Sequence, residues 1–211
     1  MGILYWIGHT ASRIAARFLF SMRVENREHL DRQPEGGLIV ASNHVSFLDP
    51  PLVGGSFRRP IYYFARKTLF DHPVARFILP RVNALPVNQA RPELSILKRV
   101  IQLLRGGETV LIFPEGERSR DGELRMQGQP GVGMIVSKAE VPVLPVRLFG
   151  PEKALPRGSK RIRRHPVTLV VGEPVEFDDI LEDESMSTKE KYKGIADRIM
   201  RAIAALEPSA D

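Results

Sequence analysis

A histidine and an aspartate lie five residues apart in the segment 43–49, which reads Asn-His-Val-Ser-Phe-Leu-Asp. The apolar run Leu38–Ala41 before them predicts a short buried strand, so His44 would follow the carboxyl end of that strand. A carboxylate that accepts a ring N–H fixes the tautomer of a histidine and leaves its other nitrogen free as a general base. The spacing of His44 and Asp49 therefore suits a catalytic dyad, and it equally suits a structural turn.

Asp49 is followed by Pro50, a pair that is typical of a helix start with aspartate as the N-cap and proline as the first helical residue. We expect Asp49 to cap the next helix, while a tight loop brings its carboxylate back to His44. Ser46 lies in that loop, and no second histidine is placed to activate it. We therefore interpret Ser46 as a turn residue.

A second group of polar residues follows the apolar segment 110–113, where the sequence continues Pro-Glu-Gly-Glu-Arg-Ser. Gly116 allows the backbone to approach a ligand closely, and Arg118 can hold two phosphate oxygens in a forked hydrogen bond. The Ser119 hydroxyl can donate one more hydrogen bond. This loop therefore predicts a phosphate-binding site, although charged turns after strands are common in proteins without one.

The remaining chain alternates between short apolar segments and helical patterns. Segments rich in β-branched residues predict six strands, Leu38–Ala41, Ile61–Phe64, Ala84–Val87, Val110–Phe113, Leu144–Phe149 and Val167–Val171. Helical periodicity runs from Pro92 to Arg105, and Ser187 with Glu190 forms a capping box that opens a terminal helix. We predict an α/β fold in which one domain, residues 23–211, contains a mixed, mainly parallel central sheet layered by helices. Ligands bind at the carboxyl ends of the strands in such sheets, where both motifs fall.

The composition excludes several kinds of site. No cysteine occurs in the 211 residues, which rules out a thiol nucleophile and cysteine-bound metals, and the five histidines lack the spacing of metal ligands. The net charge of +6 predicts attraction to anions. Because the basic run 157–165 has neither interleaved aromatic residues nor a nucleic-acid motif, we expect anionic lipid or substrate phosphates as partners, and no nucleic acid.

The first 22 residues form a separate amphipathic segment in this prediction. Arg13 and Arg17 lie one turn apart, and the apolar residues on another face are Leu4, Ile7, Ala11, Ile14, Ala15 and Phe18. Two arginines near its middle disfavour a transmembrane helix. Two interpretations remain open, a helix lying in a membrane interface and a helix packed on its own domain.

Together these segments resemble the glycerolipid acyltransferases, whose best-known members are bacterial 1-acylglycerol-3-phosphate acyltransferases. The family motif NHxxxxD is matched by Asn43, His44 and Asp49, and the motif FPEGTRS is matched by residues 113–119 with Glu117 in place of threonine. An apolar, proline-containing strand is matched by residues 141–146. The resemblance extends from about Arg23 to Val175.

The resemblance implies transfer of a fatty acyl group from acyl-CoA or acyl carrier protein to a lysophospholipid hydroxyl, with no cofactor. His44 would be the general base and Asp49 its orienting carboxylate, whereas Asn43 would be an oxyanion donor or a turn residue. Substrate would contact Glu115, Gly116, Arg118, Ser119 and Lys67. A peripheral or monotopic location on the cytoplasmic face of the inner membrane follows from the same resemblance.

One departure concerns the acceptor. The family commonly has an arginine where this chain has Gln89, and Glu117 adds a negative charge near the expected phosphate site. Arg91 lies two residues further on and is our candidate substitute, although the fork of an arginine depends on its position. The acceptor that we expect from the resemblance is 1-acylglycerol-3-phosphate. The alternatives are another lysolipid, such as a lyso-aminolipid or a capped lysophospholipid, and a non-catalytic lipid-binding protein on the same fold.

Overall fold

The computed structural model describes residues 2–32, 35–88, 94–119 and 121–209. Its strands are β1 Arg23–Glu25, β2 Leu38–Ser42, β3 Ile61–Arg66, β4 Ala84–Val87, β5 Thr109–Ile112, β6 Val143–Phe149 and β7 Thr168–Val171. Its α-helices are α1 Ile3–Phe18, α2 Glu28–Asp31, α3 Asp49–Ser56, α4 Pro73–Ile78, α5 Leu94–Arg105, α6 Pro130–Ala139, α7 Pro151–Ala154, α8 Asp178–Leu181 and α9 Thr188–Ala204. Two 3₁₀ turns, Lys67–Asp71 and Leu79–Val82, flank α4.

One seven-stranded sheet has the order β1-β7-β6-β2-β5-β3-β4. Every strand pairing in the described residues is parallel except the one between β6 and β7. The predicted α/β fold with a mixed, mainly parallel sheet is therefore confirmed. Because β2 lies between β5 and β6, the loops that leave β2 and β5 at their carboxyl ends are neighbours at one edge of the sheet.

Both faces of the sheet are covered, so the central strands are buried throughout. All five residues of β2 are buried. Ile39 and Ala41 pack with α5, α6 and α9 on one face, while Leu38 and Val40 pack with α1 and α3 on the other. This two-sided burial explains why the predicted strands are continuous apolar runs and do not alternate.

Most of the predicted elements are confirmed, and the differences are shifted ends and one strand that was not predicted. The capping box of α9 is present, with the Ser187 hydroxyl accepting from the backbone N–H of Glu190. The strand β5 ends at Ile112, one residue before the predicted end, which releases Phe113 into the following loop. The strand β1 was not predicted, because three residues carry too little pattern. The predicted start of α5 at Pro92 lies outside the described residues.

The first helix packs on the domain through one face only. Tyr5 and Ala16 are buried, the Tyr5 hydroxyl accepts the backbone N–H of Ile61, and His9 Nε2 contacts the carbonyl of Phe57 at 2.9 Å. The opposite side exposes large apolar side chains, namely Ile3, Trp6, Ile7, Ile14 and Phe18. In the described part of the chain, no helix is both long and apolar enough to cross a membrane.

Candidate active site

The structure brings His44 and Asp49 together at the carboxyl end of β2. His44 Nδ1 lies 2.8 Å from Asp49 Oδ2, and the same carboxylate oxygen accepts the backbone N–H groups of Val45 and Ser46 at 2.7 and 2.8 Å. The loop between the two residues therefore closes around the aspartate. Asp49 is fully buried, while 14% of the His44 side chain is exposed.

This contact determines what the imidazole can do. An ionised carboxylate only accepts hydrogen bonds, so Nδ1 of His44 carries the proton that faces Asp49. Nε2 is then the unprotonated nitrogen and the position from which a substrate proton can be accepted. The buried negative charge of Asp49 also favours the imidazolium that forms after proton transfer.

Asp49 differs from its predicted role at the start of α3. It is the first residue of the helix, the N-cap position belongs to Leu48, and the helix has no side-chain cap. The N-cap prediction for Asp49 is therefore wrong, because its carboxylate turns back to the preceding loop and bonds His44, Val45 and Ser46. Pro50 still suits the first turn, where the missing N–H costs nothing.

The loop after β5 holds His44 from two sides. The backbone N–H of His44 donates to Glu115 Oε1 at 2.9 Å, and the carbonyl of His44 accepts the backbone N–H of Ser119 at 2.8 Å. The ring of Phe113 stacks on the imidazole with 3.9 Å between ring centroids and 15° between planes. The two motifs are thus one structural unit, and the imidazole has little freedom to rotate.

Glu115 is almost completely buried beneath this loop. Burial raises the pKa of its carboxyl above the ordinary value, against a lowering by the hydrogen bond from the His44 backbone. Glu115 forms no ion pair with Arg118, and Arg120 lies outside the described residues. Glu115 therefore supports the backbone of His44 from the neighbouring loop.

The guanidinium of Arg118 lies over the ring of Phe47, with 3.5 Å between Cζ and the ring centroid. Its pKa is lowered by partial burial and then by the charges of Arg157 and Arg66. The backbone turn before it depends on Gly116, whose φ of 77° favours glycine and whose Cβ would lie 3.0 Å from the Gln129 side chain. Arg118 is therefore a fixed cation next to the dyad.

Two other predicted site residues have their polar atoms engaged by the protein. The Ser119 hydroxyl donates to Asp121 Oδ1 at 2.7 Å and accepts the backbone N–H of Gly122. Asn43 donates through Nδ2 to the carbonyl of Leu148 at 2.9 Å and accepts the Leu148 N–H at 2.8 Å. The Asn43 amide therefore joins β2 to β6, which favours a structural role over an oxyanion role.

Ser46 is fully buried, and its hydroxyl donates to the carbonyl of Leu155 at 3.0 Å. It also accepts the backbone N–H of Leu48 at 3.3 Å. These contacts agree with the interpretation of Ser46 as a turn residue.

The remaining predicted residues are not gathered at the dyad in the described structure. Lys67 begins the 3₁₀ turn after β3 and lines a cavity of about 240 Å³ together with Val87, Asn88 and Arg99. Gln89 and Arg91 lie outside the described residues. Glu117 forms an ion pair with Arg125 at 2.9 Å, so its charge is compensated within the loop.

Residues 21–148 match the acyltransferase family, and both motifs lie inside that span of the 211-residue chain. The chain belongs to the acyltransferase family. Among its relatives is the 1-acyl-sn-glycerol-3-phosphate acyltransferase of Bacillus subtilis, 29% identical over 192 residues that make up 90% of each chain. The chloroplast 1-acyl-sn-glycerol-3-phosphate acyltransferase LPAT1 of Arabidopsis thaliana is 30% identical over 176 residues, which are 80% of this chain and 48% of the plant protein.

A solved structure shares the fold of this acyltransferase. The 1-acyl-sn-glycerophosphate (LPA) acyltransferase PlsC from Thermotoga maritima is similar with a TM-score of 0.72 and 25% sequence identity, over 97% of this chain and 81% of that one. The resemblance predicted from the two motifs is therefore confirmed. This acyltransferase has the sheet and the motif positions that the sequence predicted.

Several residues of the site were missed by sequence reasoning. Phe113 was assigned to a strand end and to the matched motif without a role for its ring, Phe47 was given no role, and Arg157 was counted only as part of the basic run 157–165. The ring of Phe113 could have been suspected from its position between an apolar strand and a charged loop. No local pattern indicates the contact of Arg157 with the loop after β5, because the two segments are almost forty residues apart.

Proposed function

We propose that this acyltransferase moves a fatty acyl group from acyl-CoA or acyl carrier protein to the free hydroxyl of 1-acylglycerol-3-phosphate, giving phosphatidic acid. The observation that carries the proposal is the buried Asp49 carboxylate held 2.8 Å from Nδ1 of a partly exposed His44. The activities for which the relatives are named support the same acceptor.

The reaction is a direct transfer in this proposal. Nε2 of His44 accepts the proton of the acceptor hydroxyl as its oxygen attacks the thioester carbonyl, forming a C–O bond. The C–S bond then breaks, and the leaving thiolate takes the proton from the imidazolium. Positioned base catalysis of this kind contributes about 10²–10⁴-fold. The thioester supplies the activated acyl group, so the proposal requires no cofactor.

The surroundings of the dyad favour catalysis over lipid binding without chemistry. A binding protein has no need of a carboxylate that is removed from water and held against an imidazole, because burying such a charge is costly. Here Asp49 accepts three hydrogen bonds and His44 is stacked and bonded on both sides of its backbone. This degree of positioning matches the demands of proton transfer.

We further propose that the enzyme works at the cytoplasmic face of the cell membrane, bound peripherally to anionic lipid. The outer face of α1 supports this location, because Ile3, Ile7, Ile14 and Phe18 are exposed and Arg13 and Arg17 flank them. The neighbouring α4 adds three exposed apolar residues, Val74, Phe77 and Ile78. Segments 2–24 and 72–92 contain no acidic residue, so neither repels an anionic surface.

The proposal is tested by incubating the purified enzyme with palmitoyl-CoA, or with palmitoyl acyl carrier protein, and a panel of lysolipids. We expect the highest kcat/KM with lysophosphatidic acid. Transfer only to a lyso-aminolipid or a capped lysophospholipid would retain the mechanism and replace the acceptor. A folded, vesicle-bound protein that transfers to no acceptor from either donor would contradict the proposed function.

A further inference from the structure

Arg157 contacts the active-site loop from a distant part of the chain. It follows α7, and its Nη1 donates to the carbonyl of Arg118 at 2.8 Å and to the carbonyl of Ser119 at 3.3 Å. The guanidinium of Arg157 is therefore fixed at the loop that carries Arg118. Its other N–H groups, on Nε and Nη2, donate to no residue in the described ranges.

A third cation approaches the same place from β3. Tyr63 of β3 pairs with Leu111 of β5, and continuing this parallel register places Arg66 level with Pro114, at the start of the loop after β5. Arg66 is the last residue of β3 and is exposed. Three arginines from three separate segments thus lie at the carboxyl edge of the sheet, around the loop after β5.

The positive charges in this cluster are not balanced by ion pairs. Within the described residues, no carboxylate forms an ion pair with Arg66, Arg118 or Arg157, although other surface arginines do pair, such as Arg125 with Glu117 and Arg198 with Asp179. Burial lowers the pKa of Arg118 most, the charges of Arg157 and Arg66 lower it further, and the charge of Asp49 acts in the opposite direction. Like charges held together without counter-charge favour the binding of an anion.

We propose that Arg157, together with Arg118, binds the phosphate monoester of the acceptor and so selects a dianionic head group. This inference rests on the proposed function and answers the question raised by Gln89, where the family commonly has an arginine. An arginine with Nη1 anchored to backbone carbonyls presents its remaining N–H groups in a fixed direction, which suits a phosphate. Because Glu117 is paired with Arg125, its negative charge is compensated and does not oppose the binding of a phosphate.

Two substitutions separate this role from simple support of the loop. Arg157→Gln removes the charge and retains an amide donor, whereas Arg157→Lys retains the charge and removes the fork. The matched control is Arg164→Gln, since Arg164 is an exposed arginine of the same basic run and its loss changes the net charge equally. Thermal unfolding of all three variants verifies that each is folded.

We expect Arg157→Gln to raise KM for lysophosphatidic acid about tenfold with little change in kcat, because a charge-assisted hydrogen bond to the phosphate is lost. Arg157→Lys should recover part of this loss, and Arg164→Gln should stay within about twofold of the wild type. A fall of kcat without a change in KM, unrelieved by lysine, would show that Arg157 only supports the loop and would overturn the proposal.

Binding without turnover distinguishes failure of this inference from failure of the proposed function. Calorimetry with a short-chain lysophosphatidic acid, and with the same lipid carrying a monomethyl-capped phosphate, measures recognition of the dianion directly. The wild type should prefer the uncapped lipid, and Arg157→Gln should lose that preference about tenfold. Equal preference in both proteins, or no binding by the wild type, would overturn the inference whether or not acyl transfer is observed.

Discussion

The carboxylate of Asp49 organises the active site by accepting three hydrogen bonds at one oxygen. Two come from the backbone of the loop that follows His44, and the third comes from the imidazole itself. The same interaction therefore shapes the loop and orients the ring. Glu115 acts in a similar way from the neighbouring loop, where it accepts the His44 backbone N–H. Two buried carboxylates thus hold one histidine, Asp49 through the ring and the following loop and Glu115 through the backbone N–H.

Glu115 leads to a prediction about stability and pH. Its pKa is raised by burial, so the folded protein holds this proton more tightly than the unfolded chain does. The contribution of Glu115 to stability is therefore complete below the ordinary pKa of 4.5 and is lost as pH rises through the folded value. In Glu115→Gln the side chain does not ionise, so this stability is not lost as pH rises, and the amide oxygen can still accept the His44 N–H.

Urea unfolding of wild type and Glu115→Gln across the range from pH 4.5 to neutral tests this prediction. The difference in unfolding free energy should shift in favour of the glutamine variant as pH rises, and titrations shared by both proteins cancel. A difference that does not change with pH would show that the raised pKa of Glu115 is not linked to folding.

The sequence predicted the residues of this site better than it predicted their contacts. The spacing of His44 and Asp49 suited both a dyad and a structural turn, and the second motif, at residues 113–119, decided between them. The Asn43 amide, in contrast, bonds Leu148 across more than one hundred residues, and no local pattern encodes that pairing. The N-cap prediction for Asp49 failed because its carboxylate had a stronger alternative in three donors of the preceding loop.

At the scale of elements, the contact between α6 and α9 depends on close approach of the helices. A Cβ added at Gly133 would lie 1.9 Å from the carbonyl oxygen of Tyr192 in α9, so α9 would have to move. Gly131, one residue after the start of the same helix, has nothing within 4 Å of its added Cβ. Gly133 is therefore required for the close approach of α9, whereas Gly131 is not.

We predict that Gly133→Ala destabilises the protein by about 1–3 kcal/mol, as overpacked interiors do. Gly131→Ala is the matched control and should be neutral or stabilising by roughly 0.5–1 kcal/mol, because alanine favours the helix. Chemical denaturation of both variants measures the difference. Equal stability of the two would contradict the close packing of α6 against α9.

Helices and strands could be predicted where their apolar or capping pattern extends over several residues. The strand segments of the central sheet and the capping box of α9 were predicted from apolar runs and from Ser187 with Glu190. The order of the strands could not be predicted, because β2 lies between β5 and β6, and both of these strands are distant from β2 in the sequence. The convergence of Arg66, Arg118 and Arg157 follows from that order, which is why the sequence did not indicate it.

At the scale of the whole molecule, the exposed face of α1 is expected to hold the enzyme on a membrane. Phe18 and Leu94 are each 69% exposed, but Phe18 belongs to α1, whereas Leu94 belongs to α5, which covers the opposite face of the sheet. Phe18→Glu should reduce binding to anionic vesicles at least about tenfold, because it removes apolar burial and adds a negative charge. Leu94→Glu makes an equivalent change on α5 and should bind like the wild type. Equal loss in both variants, measured by co-sedimentation, would contradict this orientation.

The proposed direct acyl transfer depends on His44 as the base. The most direct test compares initial rates of acyl transfer from palmitoyl-CoA to lysophosphatidic acid for wild type and His44→Ala, with thermal unfolding to verify that the variant is folded. We predict that His44→Ala lowers kcat at least about 10²-fold and changes the binding of lysophosphatidic acid little, since the imidazole acts mainly in the transition state. A folded His44→Ala variant that retains the wild-type rate would contradict the account.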